Sequence, residues 1–287
     1  MKTPIKLYPY TAPGSENLTI SEETFYEEKD GIMKEMVINV TSPELLPYIP
    51  EGGANMPAMI IIPGGAFKRQ SLTNEGRATA AWLNSQGFAA FILKTRLPVN
   101  DHENKFDVLL MDVQRAVRMV RTHAKEWGIC EDRIGVLGFS AGGYQAALSA
   151  TGFDVKLGKS LDEIDSFSAR PDFCVLGYPA ISVEEQKKRP GVESHPVAGY
   201  EVTQLEKYKP HEMLSENTPP LFIFETDDDM STPAENSVLM YLTARTKKVP
   251  AELHIFKTGR HGFGIGDDNA QNGQWKQLFV KWFQTLS

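Results

Sequence analysis

Cysteine is scarce in this chain of 287 residues. Cys130 and Cys174 stand alone in or beside apolar segments, without a C-x-x-C pair, and read as two buried free thiols rather than metal ligands. Long apolar runs are missing too. None approaches the roughly 18 residues that a membrane span requires, and Met1-Lys2-Thr3-Pro4-Ile5-Lys6 leads into polar sequence with no stretch of signal-peptide type. No membrane partner is expected, and the expected location is the cytoplasm, provided that no leader has been removed. Basic charge is in deficit: 30 Lys and Arg against 37 Asp and Glu give a formal net charge of −7. Such a chain has no cationic footprint for a phosphate backbone, so nucleic acid is not expected. Repeats, low-complexity tracts and Pro/Gly/Ser-rich linkers are absent, which points to one domain over residues 1–287. No metal cluster or nucleotide fingerprint calls for a cofactor, and a homo-oligomer is left open.

What is present is alternation. Ala58–Ile62, Phe88–Leu93, Arg133–Phe139, Phe173–Leu176, Leu221–Phe224 and Glu252–Phe256 are short apolar runs, several of them continuous as buried parallel strands are. Between them lie helical patterns. Over Lys105–Trp127, Leu109, Val113, Ala116, Val117, Val120 and Ala124 recur at helical spacing and Gly128 ends the run. Asn74–Gln86, Ala234–Thr246 and Gln274–Leu286 are the other long ones. Strand–helix alternation of this kind predicts βαβ units and an α/β fold with a mostly parallel sheet. The first fifty residues read as an acidic N-terminal extension with edge strands, Glu35–Val40 being an antiparallel one; residues 177–218 read as a cap-like or loop insertion.

Arg133-Ile134-Gly135-Val136-Leu137-Gly138-Phe139-Ser140-Ala141-Gly142-Gly143 is an apolar strand entering G-x-S-x-G and then the Ala-rich helix Tyr144–Ala150. A serine held on so sharp a strand-to-helix turn needs small neighbours two residues away on each side, and Gly138 and Gly142 supply them. Ser140 is the expected nucleophile. The turn also places the Ala141 amide at a helix N-terminus, where it can face a developing oxyanion. Upstream, the strand Met59–Ile62 ends in Pro63-Gly64-Gly65-Ala66-Phe67, which resembles the HGGG loop of esterases and lipases. Its glycines let backbone approach a substrate carbonyl, so Gly65 and Ala66 are expected to complete the oxyanion hole with Ala141.

Among six histidines, His261 follows the last strand in the glycine-flanked loop Thr258–Gly264, from which an imidazole can reach across the strand ends. It is the expected base, with the loop residue His195 its rival. The acid is expected after the strand Leu221–Glu225, among Asp227, Asp228 and Asp229. Three adjacent carboxylates cannot all be buried against one imidazole, so one orients it while the others face solvent or cap the helix near Pro233.

These residues resemble the esterase and acetylxylan-esterase-like branch of the α/β-hydrolases, which includes feruloyl esterases and acetylesterases. The resemblance runs from Ala58 to the C-terminus through Pro63–Phe67, Glu75-Gly76, Asp112–Trp127, Arg133–Gly143, Thr218-Pro219-Pro220, Asp229–Ser237, Glu252–Phe256 and His261–Gly264. Its acid stands four residues before the proline of D-x-x-x-P, which implies Asp229. It implies a serine carboxylesterase acting on short-chain, foremost acetyl, esters of small and carbohydrate alcohols. A small-peptide peptidase of the prolyl-oligopeptidase type and an inactive binding module on the same fold remain the alternatives. Glu75 and Arg96, charged beside core elements, read as a structural ion pair.

Overall fold

The computed structural model describes residues 3–29, 31–182, 184–185 and 207–286. In chain order the strands are β1 (Ile5–Lys6), β2 (Glu23–Lys29), β3 (Ile32–Ile38), β4 (Glu44–Tyr48), β5 (Met56–Ile62), β6 (Gln70–Ser71), β7 (Ala89–Lys94), β8 (Ile129–Phe139), β9 (Phe173–Gly177), β10 (Leu221–Thr226) and β11 (Ala251–Phe256). The helices are α1 (Thr79–Ser85), α2 (Asp107–Thr122), α3 (Ala141–Thr151), α4 (Pro210–Met213), α5 (Glu235–Thr246) and α6 (Trp275–Phe283).

The main sheet runs β1-β4-β7-β5-β8-β9-β10-β11. From β7 to β11 every neighbouring pair is parallel, and β4 and β1 join antiparallel at one edge. The continuous apolar runs follow from burial on both faces. Ile60 and Ile62 of β5, Val136 of β8, Leu176 of β9 and Ile223 of β10 pack in one core with residues of α2, α3 and α5. Their alternates Met59, Ile61, Leu137, Val175 and Phe224 pack in a second core with α1 and α6. That second core is aromatic: Phe224 stacks on Trp275 with centroids 4.3 Å apart.

Several elements differ from the sequence reading. Glu35–Val40 is not an edge strand of the main sheet; Glu35–Ile38 belong to β3, the middle strand of a small antiparallel sheet β2-β3-β6. The antiparallel edge is β4, which Pro47 disguises. Proline is tolerated there because β1 pairs only with Glu44 and Leu45, leaving the flank at Pro47 without a ladder on that side. The helical stretch beginning near Asn74 opens as a π-helical segment, Leu72–Ala78, before α1. Cys174 is buried, and burial pushes its thiol up to about 12, whereas Cys130 is only partly buried. Of the expected insertion at 177–218, residues 183 and 186–206, and His195 with them, lie outside the described residues.

Glu75 and Arg96 do not pair. Arg96 is fully buried against Asp112 of α2, with Nη2 2.7 Å from Oδ1, and Tyr8 donates to the same carboxylate at 3.1 Å. Arg96 therefore ties the N-terminal segment to the α2 face. Leu72 of the π-helical segment packs in the core on the other face, and the Glu75 carboxylate is committed to partners of its own.

Candidate active site

At the end of β8, Ser140 adopts φ 55° and ψ −120°, a strained conformation for a residue with a side chain, costing about 1–3 kcal/mol. The surroundings impose it. A Cβ at Gly138 would collide with the Gly142 carbonyl oxygen, and one at Gly142 with that of Ile62. The Ser140 amide donates to the Gly177 carbonyl at 3.0 Å, and the Ser140 carbonyl accepts from Ala180 at 3.1 Å. Strand β9 thus clamps the turn from the side and fixes the hydroxyl at the mouth of α3.

The structure brings Ser140, His261 and Asp229 together in one hydrogen-bonded chain. His261 Nε2 lies 2.9 Å from Ser140 Oγ, and Nδ1 lies 2.6 Å from Asp229 Oδ2. Thr232 adds a second oxygen 3.1 Å from Nδ1 while donating its proton to the Tyr178 carbonyl at 2.9 Å. With two acceptors facing Nδ1, the proton sits on that nitrogen, and the Nε2 lone pair faces the serine hydroxyl. Asp229 is fully buried, and its Oδ1 is held by the amides of Ser231 and Thr232 at 2.7 and 2.9 Å.

Of the three aspartates, Asp229 is buried and Asp228 half-buried. Asp227 is exposed. The helix-cap expectation fails: α5 starts after Ala234 with no side-chain cap. Asp228 instead accepts from the amides of Gly259 and Arg260 at 3.0 and 2.8 Å, which pins the loop carrying His261. Behind Asp229 sits Glu225, fully buried at the end of β10. Burial, and then the neighbouring Asp229 charge, push its carboxyl well above the usual carboxylate range. The readable signal for Glu225 was a carboxylate terminating an otherwise apolar run.

Gly65, Ala66 and Ala141 all border the same cleft of about 530 Å³ as Ser140 and His261. Among the described residues their amides donate to no protein acceptor. Gly65 has φ 147°, and a Cβ there would collide with the Arg69 carbonyl; Ala66 and Phe67 are also left-handed, at 55° and 59°. Glu75 braces this loop: Oε2 accepts from the Gly64 amide at 2.7 Å, and Oε1 from the Tyr178 hydroxyl at 2.8 Å. That hydroxyl in turn accepts from the Gly264 amide at 2.9 Å, and Asn74 donates to the Gly262 carbonyl at 3.3 Å. The π-helical segment therefore holds the glycine loop and the histidine loop in one frame, a use typical of such irregular turns. Sequence reading missed Tyr178, Thr232 and this role of Glu75, because polar contacts between distant loops leave no periodic trace.

Within β11 His254 bonds Glu252 at 2.7 Å, and His123 stacks on Trp127; neither lines the cleft. Among the described residues no group of three or more His, Cys, Asp or Glu side chains could hold a metal ion.

Residues 47–243 match the BD-FAE family model. An acetylxylan esterase of Xylanibacter ruminicola is 29% identical over 254 residues, which are 85% of this chain and 48% of that protein. The chain spans about half the length, or less, of the curated relatives it matches. Among solved structures, an acetyl ester-xyloside bifunctional hydrolase from Caldicellulosiruptor lactoaceticus superposes with a TM-score of 0.79 at 33% identity, covering 99% of this chain and 96% of that one. The carboxylesterase Cest-2923 from Lactobacillus plantarum shares the fold, with a TM-score of 0.68 at 20% identity over 92% of this chain and 97% of its own. Matched by the family model over most of its length, the chain belongs to the BD-FAE family, on the α/β-hydrolase fold.

Proposed function

We propose that this protein is a serine carboxylesterase that removes short acyl groups, acetyl foremost, from small carbohydrate alcohols. The observation that carries the reading is the continuous hydrogen-bonded chain from Ser140 Oγ through His261 to the buried Asp229. In this reading Ser140 Oγ attacks the ester carbonyl carbon as His261 Nε2 takes its proton, and Asp229 stabilises the imidazolium that forms. The amides of Gly65, Ala66 and Ala141 receive the negative charge on the carbonyl oxygen. His261 then returns the proton to the departing alcohol, and water, deprotonated by His261 in turn, releases the acid from Ser140. The acetyl and carbohydrate preference is supported by the names of the similar proteins, an acetylxylan esterase and an acetyl ester-xyloside hydrolase.

The test of acyl preference is kcat/KM over 4-nitrophenyl acetate, butyrate and octanoate. A cleft shaped for small acyl groups should favour acetate over octanoate by about tenfold or more. A rise toward octanoate overturns the short-acyl assignment, and cleavage of peptides alone replaces the esterase by a peptidase.

The frame around Glu75 gives a further expected result. Glu75→Ala frees both the glycine loop and Tyr178, and displacements of an ångström in such a site cost on the order of 10²-fold in kcat. KM should change far less, because the substrate-lining groups remain. Glu75→Gln should keep most of the activity, since its oxygen still accepts from Gly64 and the Tyr178 hydroxyl can turn to accept from the amide. Equal kcat for wild type and Glu75→Ala sinks the bracing role.

A further inference from the structure

The small sheet β2-β3-β6 lies largely outside the stretch matched by the family model, which starts at residue 47, yet it builds one wall of the cleft. Its two faces are separated by the period of a strand. On one face, Val37 enters the second core, and Glu35 grips Arg77 through Nε–Oε2 and Nη2–Oε1 contacts of 2.7 and 2.8 Å. On the other, Lys34, Met36 and Ile38 alternate along β3 into the cleft, and Glu27, the cross-strand partner of Lys34, joins them from β2. Arg69, two residues before Ser71, which pairs with Met36, binds Glu27 with Nη1 2.9 Å from Oε2. The hairpin is thus anchored by one face, and its other face is apolar at Met36 and Ile38 and charged at Lys34, Glu27 and Arg69.

We propose that Glu27, Lys34 and Arg69 form the subsite for the alcohol part of the ester, and that the subsite selects a neutral polyhydroxylated alcohol. The proposal rests on the esterase reading of the same cleft. Its argument is one of complementary groups. A Lys34 ammonium offers three donors and, among the described residues, makes no ion pair; the Arg69 guanidinium retains donors beyond the one given to Glu27, and the Glu27 carboxylate accepts. A sugar hydroxyl both donates and accepts, so neighbouring hydroxyls satisfy both signs of charge at once. An anionic alcohol would meet Glu27, and a cationic one Lys34 and Arg69. An apolar alcohol would strip water from three charged groups and return no hydrogen bond.

The deciding experiment compares two acetates that share the acyl-enzyme and differ in the leaving alcohol: a monoacetylated pentose and 4-nitrophenyl acetate. Hydrogen bonds to charged groups are strong enough that Lys34→Ala and Glu27→Gln should each lower kcat/KM on the sugar acetate about tenfold or more. Both variants should stay within about twofold of wild type on 4-nitrophenyl acetate, whose alcohol has no hydroxyl row to bind. Lys34→Arg, keeping cation and donors, should retain most sugar-ester activity, which a collapsed hairpin would not. Equal losses on both acetates, or none on the sugar, overturn the subsite. So does a loss confined to a carboxylate-bearing sugar ester, which would make the wall an anion site. If the wild type hydrolyses no ester at all, the esterase reading fails by itself. Calorimetric titration with an unacetylated pentose disaccharide then still decides: heat with wild type and none with Lys34→Ala keeps the subsite, and no heat with either removes it.

Discussion

Ser140→Ala should lower kcat on 4-nitrophenyl acetate by about 10⁴-fold or more while the protein folds as before. Among the described residues the hydroxyl's hydrogen-bond partner is His261 Nε2, at 2.9 Å, so its removal takes the proposed nucleophile and leaves packing intact. Alanine keeps the Cβ that the turn already accommodates at φ 55°, and Gly138 and Gly142 still give it room. The thermal unfolding midpoint should therefore move little. A fluorophosphonate probe, which bonds covalently to an activated serine, should label wild type and spare the variant. The same measurement separates an inactive binding module, which neither form of the protein would label. Undiminished turnover in pure Ser140→Ala protein ends the serine-hydrolase reading.

Much of this site is legible from sequence because the chemistry dictates local patterns. A serine on a strand-to-helix turn demands glycine at 138 and 142, and an imidazole reaching over strand ends demands a loop such as the one around His261. The parallel strands were legible for a similar reason: burial on both faces removes the polar alternates, and β5, β7 and β9 become continuous apolar runs. The small sheet had no such signature. Strands β2, ETFYEEK, and β3, IMKEMVI, put charges on the face that lines the cleft as well as on the face that grips Arg77, so polarity does not alternate. Glu75 shows the other limit. A charge beside core elements announces that it has a partner, but one sequence does not say on which side of the sheet; Arg96 turned to Asp112, and Glu75 to Gly64 and Tyr178. Glu225 left one trace, a carboxylate closing an apolar run, but no pattern tells a buried acid in that place from an exposed strand end.

Asp229→Asn should lower kcat by about 10⁴-fold, and the reason lies in which oxygen is pinned. Oδ1 accepts from the Ser231 and Thr232 amides, so an asparagine in this place must keep its carbonyl oxygen on that side. Its amide nitrogen is then turned to His261 Nδ1, where Oδ2 stood. A donor facing Nδ1 forces the imidazole proton onto Nε2, toward Ser140 Oγ, and the base loses the lone pair it needs. The imidazolium formed during attack also loses its counter-charge. Asp228→Asn behaves differently, because an amide oxygen can still accept from Gly259 and Arg260; its activity should stay within about tenfold of wild type. Asp227, exposed, should tolerate asparagine within about twofold. Steady-state kcat of the three variants, measured side by side on one acetate ester, checks the order. If Asp228→Asn is the crippled variant and Asp229→Asn is not, the orienting acid is Asp228, and the hydrogen bond from His261 Nδ1 to Asp229 has no part in turnover.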